Sequence, residues 1–196
     1  MLKYYLGRDL SERLHIPLSR WKRWSREFLP PDPLGGLQSG YARQYNVRDA
    51  FAVYLAGFLV SCLGFSIPAA RRILHDLNGW LKRTVVARLE AAADAGETLP
   101  AAPQQVELII VPVDDRPAPA FSYRIRTLVE RSPLAEEATG IWQERYTEQV
   151  LQPGPPKRTA GYPVWCPRVD ITSLTAHFFA CLSDKNKSDD TKNKSI

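Results

Sequence analysis

Leu18-Ser19-Arg20-Trp21-Lys22-Arg23-Trp24-Ser25-Arg26-Glu27-Phe28 is the stretch whose reading decides the first half of the chain. Trp21, Trp24 and Phe28 recur at i, i+3 and i+7, the spacing of one helix face, so the segment predicts a helix with a buried aromatic side. Arg20, Lys22, Arg23 and Arg26 fall away from that side. Ser19 is a candidate N-cap, although Leu18 can also begin the helix. Pro30, Pro31 and Pro33 end it, because a proline ring cannot donate to the ladder and restricts the residue before it.

Working outward, Tyr5 to His15 predicts a short helix with Leu6, Leu10 and Leu14 as its apolar stripe, ending before Pro17. Downstream, Gly35 to Tyr45 is a Gly-rich turn between short extended pieces, the composition of a small β-hairpin. Asn46 followed by Asp49 marks an N-cap and an acidic first turn, predicting a helix from Val47 to Leu63. Its stripe is Phe51, Tyr54, Leu55, Phe58, Leu59 and Cys62, and Gly64 is the expected residue just past its end. Ser66 caps a fourth helix, with Pro68 in its first turn and Ile67, Ala70, Ile73, Leu74 and Leu77 facing inward. Trp80 to Ala95 carries Leu81, Val85, Leu89 and Ala92 on one side. That helix can lie on the domain or pair with its copy; at about two heptads it falls short of a long coiled coil.

Prolines cluster in the second half, which predicts shorter elements there. Gly96 to Gln105 reads as a Pro/Ala linker. Val106–Val113 and Phe121–Val129 are strand candidates; in the second, Phe121, Tyr123 and Ile125 alternate with Ser122, Arg124 and Arg126, the period of a half-buried strand. Pro112 requires that the first strand end there or lie at an edge. Leu134 to Val150 reads as partly helical, and Asp170 or Thr172 caps a final helix ending near Leu182. Ser183 to Ile196 is a polar tail expected to be disordered. The fold expectation is thus a mainly α N-terminal winged helix-turn-helix domain over 1–78, a connecting amphipathic helix over 79–96, a linker over 97–105, a small α+β C-terminal domain over 106–183 and a tail over 184–196.

The net charge of +5 is unevenly spread. Residues 1–83 hold 13 Lys and Arg against 6 Asp and Glu, a net of 13 − 6 = +7, while the remainder holds 13 against 15, a net of −2. A local surplus of that size is the footprint of phosphate binding, since neutralising phosphates releases condensed counterions. Charge alone leaves a solubilising surface as the alternative.

Cys62, Cys166 and Cys181 are the three cysteines, without CxxC spacing, so neither a disulfide framework nor a zinc ribbon is expected. No signal-peptide pattern opens the chain and the apolar run Phe51 to Phe65 is too short for a bilayer, so the expectation is a cytoplasmic protein without membrane contact. His177 shares the C-terminal part with Cys166 and Cys181, which permits a Cys/His pair, but nucleophile, base and orienting group are not gathered in the sequence. His15 and His75 stand singly beside helix ends, and Asp114-Asp115 reads as a turn. No enzyme activity, cofactor or metal is expected.

Trp24 with Arg26-Glu27-Phe28 and Leu29-Pro30, then Ser39-Gly40-Tyr41 with Arg43, Tyr45 and Asp49, then Leu63-Gly64-Phe65-Ser66 with Ile73-Leu74, resemble the MerR family of bacterial transcription regulators over about residues 4 to 78. Two departures are local: Lys22-Arg23 stand where the family usually has Arg-Tyr, and Ala42 is an extra residue between Tyr41 and Arg43. The family's long dimerisation helix has at most a short counterpart, and no cysteine lies near Trp80, which argues against thiolate metal sensing.

The resemblance implies a recognition helix in the DNA major groove with a wing gripping phosphates. Arg20 and Arg23 are then the candidates for base-edge or adjacent phosphate contact, and Lys22, Arg26 and Arg43 for phosphates. Ser19 and Tyr41 complete the set; Tyr41 either reaches a phosphate or covers the wing. Trp21 and Trp24, sharing the Phe28 side, read as core. The expected function is a sequence-specific double-stranded DNA-binding transcription regulator, homodimeric, whose C-terminal domain contacts RNA polymerase or a small-molecule effector. An excisionase-like or terminase small-subunit-like architectural or packaging factor is the alternative.

Overall fold

A computed structural model describes residues 4–32, 42–95, 99, 104–113, 120–133, 142–151 and 166–183. The chain divides into two compact units, residues 1–100 with 176–196, and residues 101–175. The division after Pro100 falls within the Pro/Ala stretch. The last helix contributes to both units, with residues up to 175 grouped with the sheet and those from 176 with the N-terminal residues.

The first unit begins with β1 (Tyr5–Leu6) and α1 (Gly7–Arg13), not with a helix from Tyr5. Tyr5 is drawn into an antiparallel pair with Tyr45 of β2 (Gln44–Tyr45), which leaves Leu6 exposed while Leu10 and Leu14 are buried. A four-residue turn, Leu14 to Pro17, leads to α2 (Leu18–Phe28). His15 takes the left-handed conformation there, at φ 53°, and the Ser11 hydroxyl donates to the Ile16 carbonyl at 2.7 Å. Ser19 is not the cap: Pro17 precedes the first helical residue, its fixed φ suiting entry into the helix, and no side chain caps it.

α3 (Val47–Ser61) is the centre of this unit. Asn46 accepts from the Asp49 backbone N–H at 2.7 Å, as the capping pattern requires. Phe51, Leu55 and Leu59 are buried together with Val53, Ala56 and Gly57, so the helix is covered on more than one side. Tyr54 and Phe58 are half-buried and Cys62 is exposed, a shorter stripe than the spacing implies. Gly64 adopts φ 72° and lets the Phe65 N–H return to the Leu59 carbonyl at 3.0 Å, closing the helix end.

Ser66 caps α4 (Ile67–Leu81) by accepting from the Ala69 N–H, with Pro68 in the first turn. The helix does not stop at Leu77. It runs through a π-helical turn, Lys82–Val86, into α5 (Ala87–Ala95). Leu81, Val85, Leu89 and Ala92 are all buried, and α5 packs against α3. The apolar row of this helix is thus covered by its own chain rather than kept for a copy.

The second unit is a four-stranded antiparallel sheet, β5-β4-β3-β6, made of β3 (Val106–Pro112), β4 (Phe121–Pro133), β5 (Trp142–Leu151) and β6 (Arg168–Asp170). β3 ends at Pro112, and β6 pairs with only Glu107 to Ile109 of it. Phe121, Tyr123 and Ile125 of β4 point into a core with Leu108, Ile110 and Val169. The residues from Trp142 that read as partly helical form β5, held to β4 by cross-strand pairs such as Arg145–Glu130 at 2.7 Å. Asp170 caps α6 (Ile171–Ser183) through the Ser173 N–H at 2.9 Å. In the first unit, Phe178 of that helix meets Phe51 edge-on at 5.2 Å between ring centroids. The tail beyond Ser183 lies outside the described residues.

Candidate nucleic-acid interface

α2 is two-sided because its aromatics are locked from below. Trp21 is fully buried and meets the Tyr45 ring edge-on at 5.7 Å. Tyr45 also donates its hydroxyl to Ser25 Oγ at 3.1 Å, and Ser25 Oγ donates to the Trp21 carbonyl at 2.9 Å. Trp24 is buried against Gly57 of α3, where an added Cβ would collide with its six-membered ring. Trp21, Trp24 and Ser25 leave one rotation of the helix open. Both indoles are core groups, as the shared Phe28 side implied, and neither is a stacking platform.

With that side fixed, Ser19, Arg20, Lys22, Arg23 and Arg26 are all exposed to solvent. Among the described residues none of the four cations is in an ion pair. Arg20 stands over the Trp24 ring, its Cζ 5.9 Å from the centroid, which orders the stem of the side chain along the helix. Glu27, the acidic residue of this helix, is taken by Arg71 of α4: Arg71 Nη2 donates to Glu27 Oε2 at 2.8 Å and Nε to the Glu27 carbonyl at 3.0 Å. That pairing turns a negative charge to a structural task at the end of α2.

Arg43 is placed differently from the other cations. It is half-buried, donates Nη2 to the Pro30 carbonyl at 2.9 Å and lies 5.6 Å from the Tyr45 ring centroid. It ties the segment entering β2 to the chain leaving α2. Tyr41 and the Gly-rich stretch before it lie outside the described residues.

The described histidines occupy three separate places. His15 holds the turn after α1, and His75 is exposed on α4. His177 bonds the Tyr54 hydroxyl at 2.9 Å and lies 3.8 Å from Cys181 Sγ, the i, i+4 neighbour on α6. Burial raises the Tyr54 phenol above its ordinary value, with Cys181 and Cys62 adding to it. Among the described residues no three His, Cys, Asp or Glu side chains are grouped to hold a metal. The Tyr54–His177 bond joins residues 123 apart in sequence, and no local spacing announces it. Asp114-Asp115 is outside the described residues.

The described residues define a mixed α+β chain with an exposed basic helix, and none of its described helices is long and apolar enough to cross a membrane. No family model matches the chain, and no curated protein or solved structure matches it.

Proposed function

We propose that the chain is a sequence-specific double-stranded DNA-binding transcription regulator in which α1, the turn at His15 and α2 act as a helix-turn-helix. The observation that carries this reading is the exposed row Arg20, Lys22, Arg23 and Arg26 on a helix whose other side is locked by Trp21, Trp24 and Ser25. A rigid element with freely available guanidinium groups is what base readout asks of a protein, because a bidentate arginine discriminates guanine only when its backbone is held. The eleven residues of α2 span roughly 16 Å at about 1.5 Å per residue. A major groove about 12 Å wide admits such a helix.

The remaining surface supports the same reading. Residues 1–83 carry the chain's whole positive surplus, 13 − 6 = +7, so electrostatic approach to a phosphate backbone is directed at this unit. The Gly-rich stretch before Arg43, outside the described residues, is assigned as the wing by the family resemblance alone, and the sheet unit is the proposed partner or effector module. A homodimer accounts for site specificity through two half-sites about one helical turn apart.

The experiment is selection of bound duplexes from a random pool by the full chain at two salt concentrations. An enriched inverted repeat is the expected outcome. Retention without any motif means an architectural or packaging factor, and failure to retain duplex at low salt removes the DNA reading.

A further inference from the structure

A concave pocket of about 600 Å³ opens between the end of α2, the first turns of α3 and the long helix where α4 passes into the π-helical turn. Phe51, Leu55, Leu81 and Val86, all buried, supply its apolar lining. Its charged lining is Arg48, Asp49, Arg71 and Lys82. Three cations against one carboxylate give 3 − 1 = +2 around the opening, reduced to +1 when Glu27, the ion-pair partner of Arg71, is included. His75 also lines it.

We infer that this pocket binds a largely apolar organic monoanion, with Arg48 and Lys82 holding the anionic group and Phe51, Leu55, Leu81 and Val86 receiving the apolar body. Arg48 and Lys82 are exposed, and among the described residues neither is in an ion pair. Asp49 does face Arg43 and Arg48, and burial raises its carboxyl while those two cations lower it. That one carboxylate is already subtracted in the count, so the surplus at the opening stays positive.

The backbone supports the assignment. The π-helical turn begins at Lys82 and ends at Val86, and both residues line the pocket, one at its charged part and one at its apolar part. Such turns interrupt an otherwise regular helix at some cost in hydrogen-bond geometry and occur frequently at binding sites. The volume is that of a small-molecule site, and an apolar lining with few charged groups is the usual composition of one. A carboxylate gains hydrogen bonds from the two cations in which both partners are ionised, an alcohol of similar shape accepts from them without the attraction of opposite charges, and a protonated amine is repelled. None of this depends on whether α2 binds DNA.

The test is calorimetric titration of the full chain with naphthoate, naphthalenemethanol and naphthylmethylamine, three probes of similar size that differ in charge. Naphthoate is expected to bind one to one and at least about tenfold tighter than the alcohol, the low end for a hydrogen bond to a charged group. The pair Arg48→Gln and Lys82→Gln, both at exposed positions that leave the core intact, should bring the two affinities together. Ala52→Trp, which fills the pocket from α3, should abolish binding of both. Equal affinities in the unaltered chain, naphthoate affinity unmoved by the rim pair, or absence of naphthoate heat overturns the inference.

Discussion

The six-membered ring of Trp24 occupies the space in which a Cβ on residue 57 would stand. Glycine in the middle of α3 sacrifices about 1 kcal/mol of helix propensity relative to alanine. Here it permits α2 to approach α3 closely enough to bury the indole, and thereby sets which side of α2 faces solvent. Gly57→Ala is expected to lower stability by about 1 to 3 kcal/mol despite its better propensity, since the indole is rigid and the overpacked core must shift. Denaturant unfolding measures it. In a Trp24→Leu background the same change should cost much less, and equal costs in the two backgrounds would show that the contact is not what the glycine serves.

What was legible in the sequence follows the range of the interactions. Asn46, Ser66 and Gly64 act on backbone groups a few residues away, and each takes the part its position implied. The row Leu81, Val85, Leu89 and Ala92 was equally readable, because helical spacing alone defines a side. β5 was not. Of its ten residues only Tyr146 and Leu151 are half-buried, so no alternation of apolar and polar residues marks it as a strand, and its pairing with β4 is what makes it one. Tyr5 likewise leaves the helical pattern for a partner 40 residues on, at Tyr45. For the basic site, the aromatic spacing sufficed to predict which cations are exposed. The bond from Arg43 to the Pro30 carbonyl and the pocket lined from α2, α3 and α4 join distant segments and had no local signature.

His15 stands at φ 53° in the turn between α1 and α2, the left-handed region that a side chain with a Cβ enters at a cost of about 1 to 2 kcal/mol. His15→Gly removes that cost and adds some unfolded-state entropy, so a net gain of roughly 0.5 to 1 kcal/mol is expected. His15→Val should lose more than 1 kcal/mol, roughly, because a β-branched residue tolerates this region least. Thermal unfolding of the three chains should rank them glycine, histidine, valine from highest to lowest; a valine variant as stable as the parent would contradict the strained turn.

Burial raises the Tyr5 phenol above its ordinary value of 10.0, with the Arg13 guanidinium pulling the other way. The fold therefore favours the protonated phenol. This contribution is present in full below 10.0 and is lost as pH rises through the higher folded value, so the chain should become less stable on the alkaline side. Tyr54, raised for the same first reason, adds to the loss. Urea unfolding at about pH 8 and about pH 11 should show a smaller fall for Tyr5→Phe than for the parent. An identical fall in both would mean that the Tyr5 phenol titrates alike in the folded and unfolded chain.

The four exposed cations of α2 are expected to separate into two behaviours on DNA. Arg20 and Arg23 stand three residues apart and share one side of the helix, Lys22 and Arg26 stand four apart and share another, and Arg20, nearest the end that a recognition helix turns to base edges, is further ordered by its stacking over Trp24. Changing both to Ala should cost about 1 to 3 kcal/mol at each preferred base and relax the preference there. Lys22→Ala or Arg26→Ala should instead weaken binding to all duplexes alike and reduce the slope of log affinity against log salt by about 1. Titrations of a selected and a scrambled duplex across a salt series distinguish the two. If the Arg20 and Arg23 double variant keeps both its affinity and its salt slope, α2 is a solvated face and not a reading head, and the Trp21 and Trp24 packing that orients it serves stability alone.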